Sequence, residues 1–395
     1  MTAERCPVRE FDFHTDPAFL ADPFVGFDAV RDQRVFWSES YGGYWVLTRM
    51  EDIRAAFQDP AIFSSRKFDI PSGTFPRALR PLALDPPEHG TYRHPLTPLF
   101  SPAAVAKREP EVRSLCQSLV SAIAPKGSCE LLFEFARPFP TTAFVRMLGL
   151  PVEESEKFER WNHDLLHAYD DPQRRKDAAA SIIGYLDELV GSRGADGDDV
   201  IATLKATSIE GRPLTHDELV DYAFMLFIAG LDTVTATLGF VFRTLAGRPD
   251  LQQRLREEPE LVPTAVEELV RVHAIVNTAR VVTTEVEVAG VQMKPGDRVL
   301  LATSLASRDP EEFDCPADVI LDRTPNRHLA FGLGPHRCLG SHLARLELKI
   351  AIEEFHAQVP EYRVADDAEV VIHGGGVFGI DHLPLAWDVL DALSP

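Results

Sequence analysis

From residue 222 to residue 242 the chain is apolar almost without interruption, with Asp232 at the middle. A helix that is apolar all round must be buried, either in lipid or at the centre of a large body. A charge at the middle of a membrane span costs about 2.5–3.5 kcal/mol on insertion scales. The flanks of this segment are polar and no second span follows. The reading is therefore a core helix over 215–245, around which the rest of the chain packs. Thr215-His216-Asp217-Glu218 opens it with a capping box, where hydroxyl and carboxylate satisfy each other's orphan N–H groups.

Helical periodicity recurs along most of the chain. It predicts further helices over 23–32, 50–58, 87–99, 101–124, 133–148, 153–167, 172–193, 200–207, 249–257, 261–272 and 341–358. Ser341 is expected to cap the last of these. Strand signals are short. Residues 35–48 read as a hairpin around Tyr41-Gly42-Gly43, residues 278–301 as short strands joined by turns, and 369–372 and 385–389 as weaker strands. The fold class is mainly α with small β-sheets. No βαβ alternation occurs, which excludes a doubly wound sheet. With no linker, repeat or low-complexity run, residues 1–395 read as a single domain.

Composition narrows the function classes. The 395 residues are 45% hydrophobic, enough for a sizeable core. Sixty-one acidic against 40 basic residues give a net charge of −21, which argues against a nucleic-acid partner. The first residues, MTAERCPVREFDFHTDP, lack the basic and apolar regions of a signal peptide or membrane anchor. Five cysteines (Cys6, Cys116, Cys129, Cys315, Cys338) show no metal or disulfide spacing, which suits a reducing cytoplasm.

Cys338 differs from the other four. It lies in Phe331-Gly332-Leu333-Gly334-Pro335-His336-Arg337-Cys338-Leu339-Gly340, just before a strong helix. A helix N-terminus favours thiolate over thiol. Glycines let backbone N–H groups approach the sulfur and let a flat group lie against the loop. A lone thiolate held this way suits one axial bond to iron. This stretch matches F-x-x-G-x-x-x-C-x-G throughout and resembles the cytochromes P450, the haem-thiolate monooxygenases. The alternative for the cysteine alone is an inert buried thiol after a glycine turn.

The rest of the chain carries the same resemblance. Ala229-Gly230-Leu231-Asp232-Thr233 is similar to the family's A/G-G-x-D/E-T. Gly230 weakens the helix locally, and Thr233 can bond back to a carbonyl one turn earlier and bend it. The bend leaves room for a diatomic molecule, with a carboxylate and a hydroxyl beside it. The resemblance implies that Thr233 stabilises bound dioxygen and Asp232 relays protons. Glu268-Leu269-Val270-Arg271 matches E-x-x-R, whose two ends share a helix face, with Arg323 as the third member. Propionate clamps are implied at His89, Arg93, Arg280 and His336, and further haem contacts at Phe331, Gly332 and Gly340. The resemblance spans essentially the whole chain and is nearest to the soluble bacterial camphor-hydroxylase type.

What the resemblance implies is a cytoplasmic, monomeric enzyme. Haem b is its cofactor, held by Cys338, and O2 is its co-substrate. Electrons come from a ferredoxin and an NAD(P)H-dependent reductase. Implied pocket residues are Phe68, Phe75, Met225, Ile228, Ala229, Val276, Val377 and Phe378. They are mostly apolar and suit a small terpenoid or aromatic substrate. The loop over 66–84 offers Ser72, Thr74, Arg77 and Arg80, and an inward arginine would admit a carboxylate. Lys107, Arg108, Arg113, Arg337 and Arg345 are expected to form a basic ferredoxin-docking patch. Alternatives are a peroxide-driven peroxygenase or isomerase, a haem-based sensor, and a helical protein without haem.

Overall fold

The computed structural model describes residues 7–71 and 73–389; Cys6 and Ser72 lie outside them. About 51% of the chain is helical. The central helix runs His216–Gly230 and then Thr233–Ala246, with a break at Leu231 and Asp232 instead of the continuous helix expected. Its capping box at Thr215 and Glu218 is present. The break has two causes. Thr233 Oγ1 donates to the Ala229 carbonyl at 3.2 Å, which competes with the backbone ladder. Gly230 marks where Phe144 crosses: a Cβ there would stand 2.2 Å from the ring, so the approach excludes any side chain.

Two apolar clusters meet at this break. The first half of the central helix packs with Pro138–Leu148, Ser155–His167 and Pro172–Ser192. The second half packs with Val262–Val272, Ser341–Gln358 and the sheets. The largest sheet has the strand order Val8–Arg9, Val35–Ser38, Tyr44–Leu47, Arg298–Ala302, Asn277–Val282, Phe63–Ser64. The expected hairpin is there, with Trp37 opposite Trp45. Ser128–Glu130 pairs with Pro384–Trp387, a strand too short to show any period in the sequence.

Helices Met50–Gln58, Pro249–Glu257 and Ser341–Gln358 have the expected ends. Three expected helices are each two elements. Residues 87–99 give Glu88–Arg93 and a 3₁₀ turn Thr97–Phe100, 101–124 give Pro102–Ala106 and Glu109–Ile123, and 133–148 give a π turn Leu132–Ala136 and Pro138–Leu148. Each second element carries a proline in its first turn (Pro98, Pro110, Pro138), where the missing N–H is tolerated and an unbroken helix is not. Ser341 is not a cap: Gly340 takes that position, with no side-chain bond, and Ser341 is buried as the first helical residue.

Behind the cysteine loop, Glu268 and Arg271 are fully buried and paired, and Arg323 Nε joins Glu268 at 3.0 Å. Asn326 Nδ2 and the Ile320 N–H also donate to Glu268, at 3.1 and 2.9 Å. The triad ties the helix Val262–Val272 to the segment that leads into the loop.

Candidate active site

The break in the central helix and the cysteine loop face one internal cavity of about 400 Å³. Gly230, Thr233 and Val234 line it from the helix, and Phe331, Gly332, Cys338, Leu339 and Gly340 from the loop. The loop is held by Cys338 N–H donating to Phe331 O at 2.8 Å and Arg337 N–H to Gly334 O at 3.1 Å. Gly334 has φ +70°, and a Cβ there would stand 2.4 Å from the Phe57 carbonyl oxygen, so only glycine fits this turn.

The accessible surface of Cys338 opens onto the cavity while protein encloses the side chain. Burial raises its thiol above the ordinary value, opposed by the Gly340 N–H and by Arg93, Arg345 and Arg337. An iron on the sulfur would supply the positive charge that favours the anion.

Four cationic or imidazole side chains gather at one end of this space. Arg93, Arg280 and His336 line the cavity, and the His89 ring lies tilted against His336 with ring centroids 4.1 Å apart. Arg280 is buried, and among the described residues its side chain bonds only Thr278 Oγ1 and the Ala279 carbonyl, at 3.1 and 2.7 Å. Desolvation lowers its guanidinium to about 10. Desolvation and the neighbouring cations likewise take His336 to about 3 and His89 to about 4. The Nε2 atoms of His89 and His336 are both buried without a hydrogen-bond partner among the described residues. A buried guanidinium with no carboxylate bonded to it among the described residues, beside orphaned imidazole nitrogens, calls for anionic oxygens. A haem brings two propionates and an iron that takes one axial sulfur, so the donor set fits the group.

Of the expected pocket residues, Phe68, Phe75, Met225, Ile228, Ala229, Val276 and Val377 line the cavity. The Phe68 and Phe75 rings stack at 5.7 Å. Phe378 does not line it. It is fully buried against Phe19 and Phe27, with centroids 5.6 and 5.5 Å away. The bridge between Val276 and Val377 turns Val377 inward, and alternation along an extended chain turns its neighbour into the core. Phe13, Tyr169 and Phe144 also line the cavity. They come from distant elements, and no local pattern announces them.

Neither Arg77 nor Arg80 reaches the cavity. Arg77 Nε bonds Asp221 at 2.7 Å, and Arg80 bonds the other oxygen of the same carboxylate. Asp232 likewise turns away from the cavity, to His167 Nε2 at 3.1 Å. Burial opposes its ionisation, but His167, His373 and His163 outweigh this and hold it at about 2. The expected docking patch is partly spent. Arg113 is held by Glu109, Glu353 and Glu354 at 2.8, 2.8 and 2.6 Å, and Arg345 by Glu267. Lys107 and Arg337 are exposed.

One cysteine facing a notched helix across an apolar cavity, with cationic clamps at its end, defines a haem-thiolate enzyme site. Comparison with known proteins agrees. The profile described as Cytochrome P450 matches residues 172–358. The chain is 38% identical over 393 residues to "Probable cytochrome P450 127A1" of Sinorhizobium fredii, covering 96% of this chain and 94% of the relative. It is 33% identical to "Vitamin D3 dihydroxylase" of Streptomyces griseolus, with 87% of each chain covered. The crystal structure of CYP101J2 superposes with a TM-score of 0.88 at 31% identity, covering 98% of this chain and 100% of that one. The chain belongs to the cytochrome P450 family, in its soluble bacterial type. It is a monooxygenase, an oxidoreductase with haem b as cofactor and O2 as co-substrate.

Proposed function

We propose that this enzyme inserts one oxygen atom into a small, neutral, hydrophobic substrate of terpenoid or aromatic type, using electrons from a ferredoxin reduced by an NAD(P)H-dependent reductase. The observation that carries the substrate class is the cavity wall, where the stacked Phe68 and Phe75, Met225, Ile228, Val276 and Val377 surround the approach to Thr233 and Cys338. Pairing of Arg77 and Arg80 with Asp221 removes the cation that a carboxylate substrate would need. A relative named for vitamin D3 supports a lipophilic ligand.

Bound haem supplies the redox chemistry of dioxygen activation. Cys338 is the proposed iron ligand, and His89, Arg93, Arg280 and His336 the propionate clamps. Phe331, Gly332 and Gly340 give the flat face of the loop. The apolar wall orients the substrate and excludes water from the reacting side. Thr233 lines the cavity, and Asp232, one residue away at the break and ionised beside His167, is the carboxylate that accepts protons and passes them to it. Glu268, Arg271 and Arg323 keep the loop in place. Lys107, Arg108 and Arg337 form the remaining cationic surface for ferredoxin. One catalytic domain over 1–395, acting as a cytoplasmic monomer, completes the reading; the four free cysteines among the described residues and the two adjoining apolar clusters support it.

The test is an optical titration of the ferric protein with monoterpenoids, aromatic compounds and steroids. A low-spin to high-spin Soret shift with a neutral terpenoid or aromatic, followed by hydroxylated product with ferredoxin and reductase, is the expected result. A shift confined to steroids or to carboxylic acids would reject the proposed substrate class.

A further inference from the structure

Behind the break in the central helix, five side chains meet outside the cavity. His167 and His373 lie with ring centroids 3.9 Å apart. One ligand atom from each of His167, Asp232 and His373 lies within 4.8 Å of the other two. His167 Nε2 stands 3.1 Å from Asp232 Oδ2. Around a tetrahedral zinc with bonds of about 2.0–2.1 Å, ligand atoms stand about 3.3 Å apart. The two closest donors therefore already have about the separation that one ion requires, and a His373 nitrogen lies within 4.8 Å of both.

The outer nitrogens of both rings are held. His167 Nδ1 faces the Gly374 carbonyl at 3.4 Å, and His373 Nδ1 faces Asp381 at 3.0 Å. Metal-bound histidines use their second nitrogen in this way, giving it to a carbonyl or carboxylate that fixes tautomer and aim. His373 Nε2 is left buried with no hydrogen-bond partner among the described residues. A buried polar atom left so is unfavourable until something completes it. Asp381 is itself held by His163 Nε2 and Arg137 Nη2, each at 3.4 Å. His163 is 39% exposed, which marks a way in from solvent.

We infer that His167, Asp232 and His373 form a site for a divalent transition-metal ion of the zinc type. It binds through two imidazole nitrogens and one carboxylate oxygen, with water in the fourth position. Nitrogen donors select zinc, copper or nickel over magnesium and calcium. The consequence rests on the role proposed above for Asp232: an ion on its carboxylate takes it out of proton delivery while Thr233 and Cys338 stay as they are. Zinc is then a reversible inhibitor that does not compete with substrate for the cavity.

The experiment uses the haem-loaded chain without an affinity tag. Calorimetric titration with Zn²⁺ is expected to give one saturable site of micromolar affinity or better, with no binding of Mg²⁺. His167→Ala and His373→Ala should each weaken it at least 10-fold. Should either variant lose its haem spectrum, anomalous diffraction at the zinc edge from crystals of the unaltered protein decides instead: the peak should lie between the two imidazoles and Asp232. Absence of saturable binding, unchanged affinity in both variants, or a peak elsewhere overturns the site. Saturating Zn²⁺ should also cut ferredoxin-driven product formation at least 10-fold, restored by EDTA, while the reductase and ferredoxin still reduce cytochrome c at the same rate. Binding at the site without this inhibition overturns the role of Asp232 in proton delivery and leaves the metal site standing.

Discussion

Glu268 and Arg271 hold each other through two parallel hydrogen bonds of 2.8 Å, and neither side chain is exposed. The other three Arg271 donors go to the carbonyls of Ser307, Pro316 and Asp318, so all five are used. Removing the carboxylate strands two guanidinium groups, Arg271 and Arg323, inside the protein. Glu268→Ala should cost about 3–5 kcal/mol, the range for breaking a buried pair from one side. A lower urea midpoint and a smaller haem-bound fraction would report it. An unchanged midpoint would mean that the triad carries no stability.

Asp221 occupies both arginines of the loop over the cavity. The pocket should therefore disfavour a charged substrate, because a carboxylate without a partner is costly to bury. A primary amide should shift the Soret band with at least about tenfold higher affinity than its carboxylic acid, a difference of about 1.4 kcal/mol or more. A preference for the acid above about tenfold would place one arginine inside.

Thr233 lines the same cavity as Cys338, at the break in the central helix. Thr233→Ala should leave the Soret band and melting temperature intact, because the crossing of Phe144 at Gly230 still breaks the helix and the buried packing is unchanged. Product formation should fall about 10²-fold, the lower end of what a positioned proton donor contributes. NADH oxidation should continue, with hydrogen peroxide accumulating instead of product. Full coupling in the variant would remove Thr233 from the proposed role.

Glu267 gives the stability a pH dependence. Burial by itself raises its carboxyl, but hydrogen bonds from His328 and Arg345 outweigh that and hold it at about 2. A carboxyl depressed by folding contributes stability that is present above its ordinary value of 4.5 and is lost as pH falls toward 2. Glu267→Gln should thus be less stable than the parent at pH 7, with the gap closing between those two pH values. A gap that stays constant down to pH 3 would contradict the assignment.

Charge reversal separates docking from folding. Lys107→Glu should slow ferredoxin-driven reduction, more at low salt than at high, while dithionite reduction is unaffected. Arg113→Glu should instead lower the melting temperature, because it sets a fourth carboxylate among Glu109, Glu353 and Glu354. Equal stability in Arg113→Glu would show that this cluster is slack.

By itself the sequence determined the elements whose information is contiguous. The Cys338 loop is written in adjacent glycines. The Glu268–Arg271 pair lies three residues apart on one helix, and the core helix shows in its unbroken apolar run. Local spacing even announced the bend at Thr233. Only the tertiary structure decided where side chains with several possible partners would point. Asp232 reads as a cavity residue until His167, 65 positions earlier, is packed beside it. Arg77 and Arg80 read either as surface charges or as inward cations until Asp221, more than 140 positions later, claims both. Phe378 reads as pocket until its strand register turns it into the core. The physical reason is common to all three. A charge, a ring or a hydroxyl is specified by its neighbours in space, and those come from elements that no window along the chain contains.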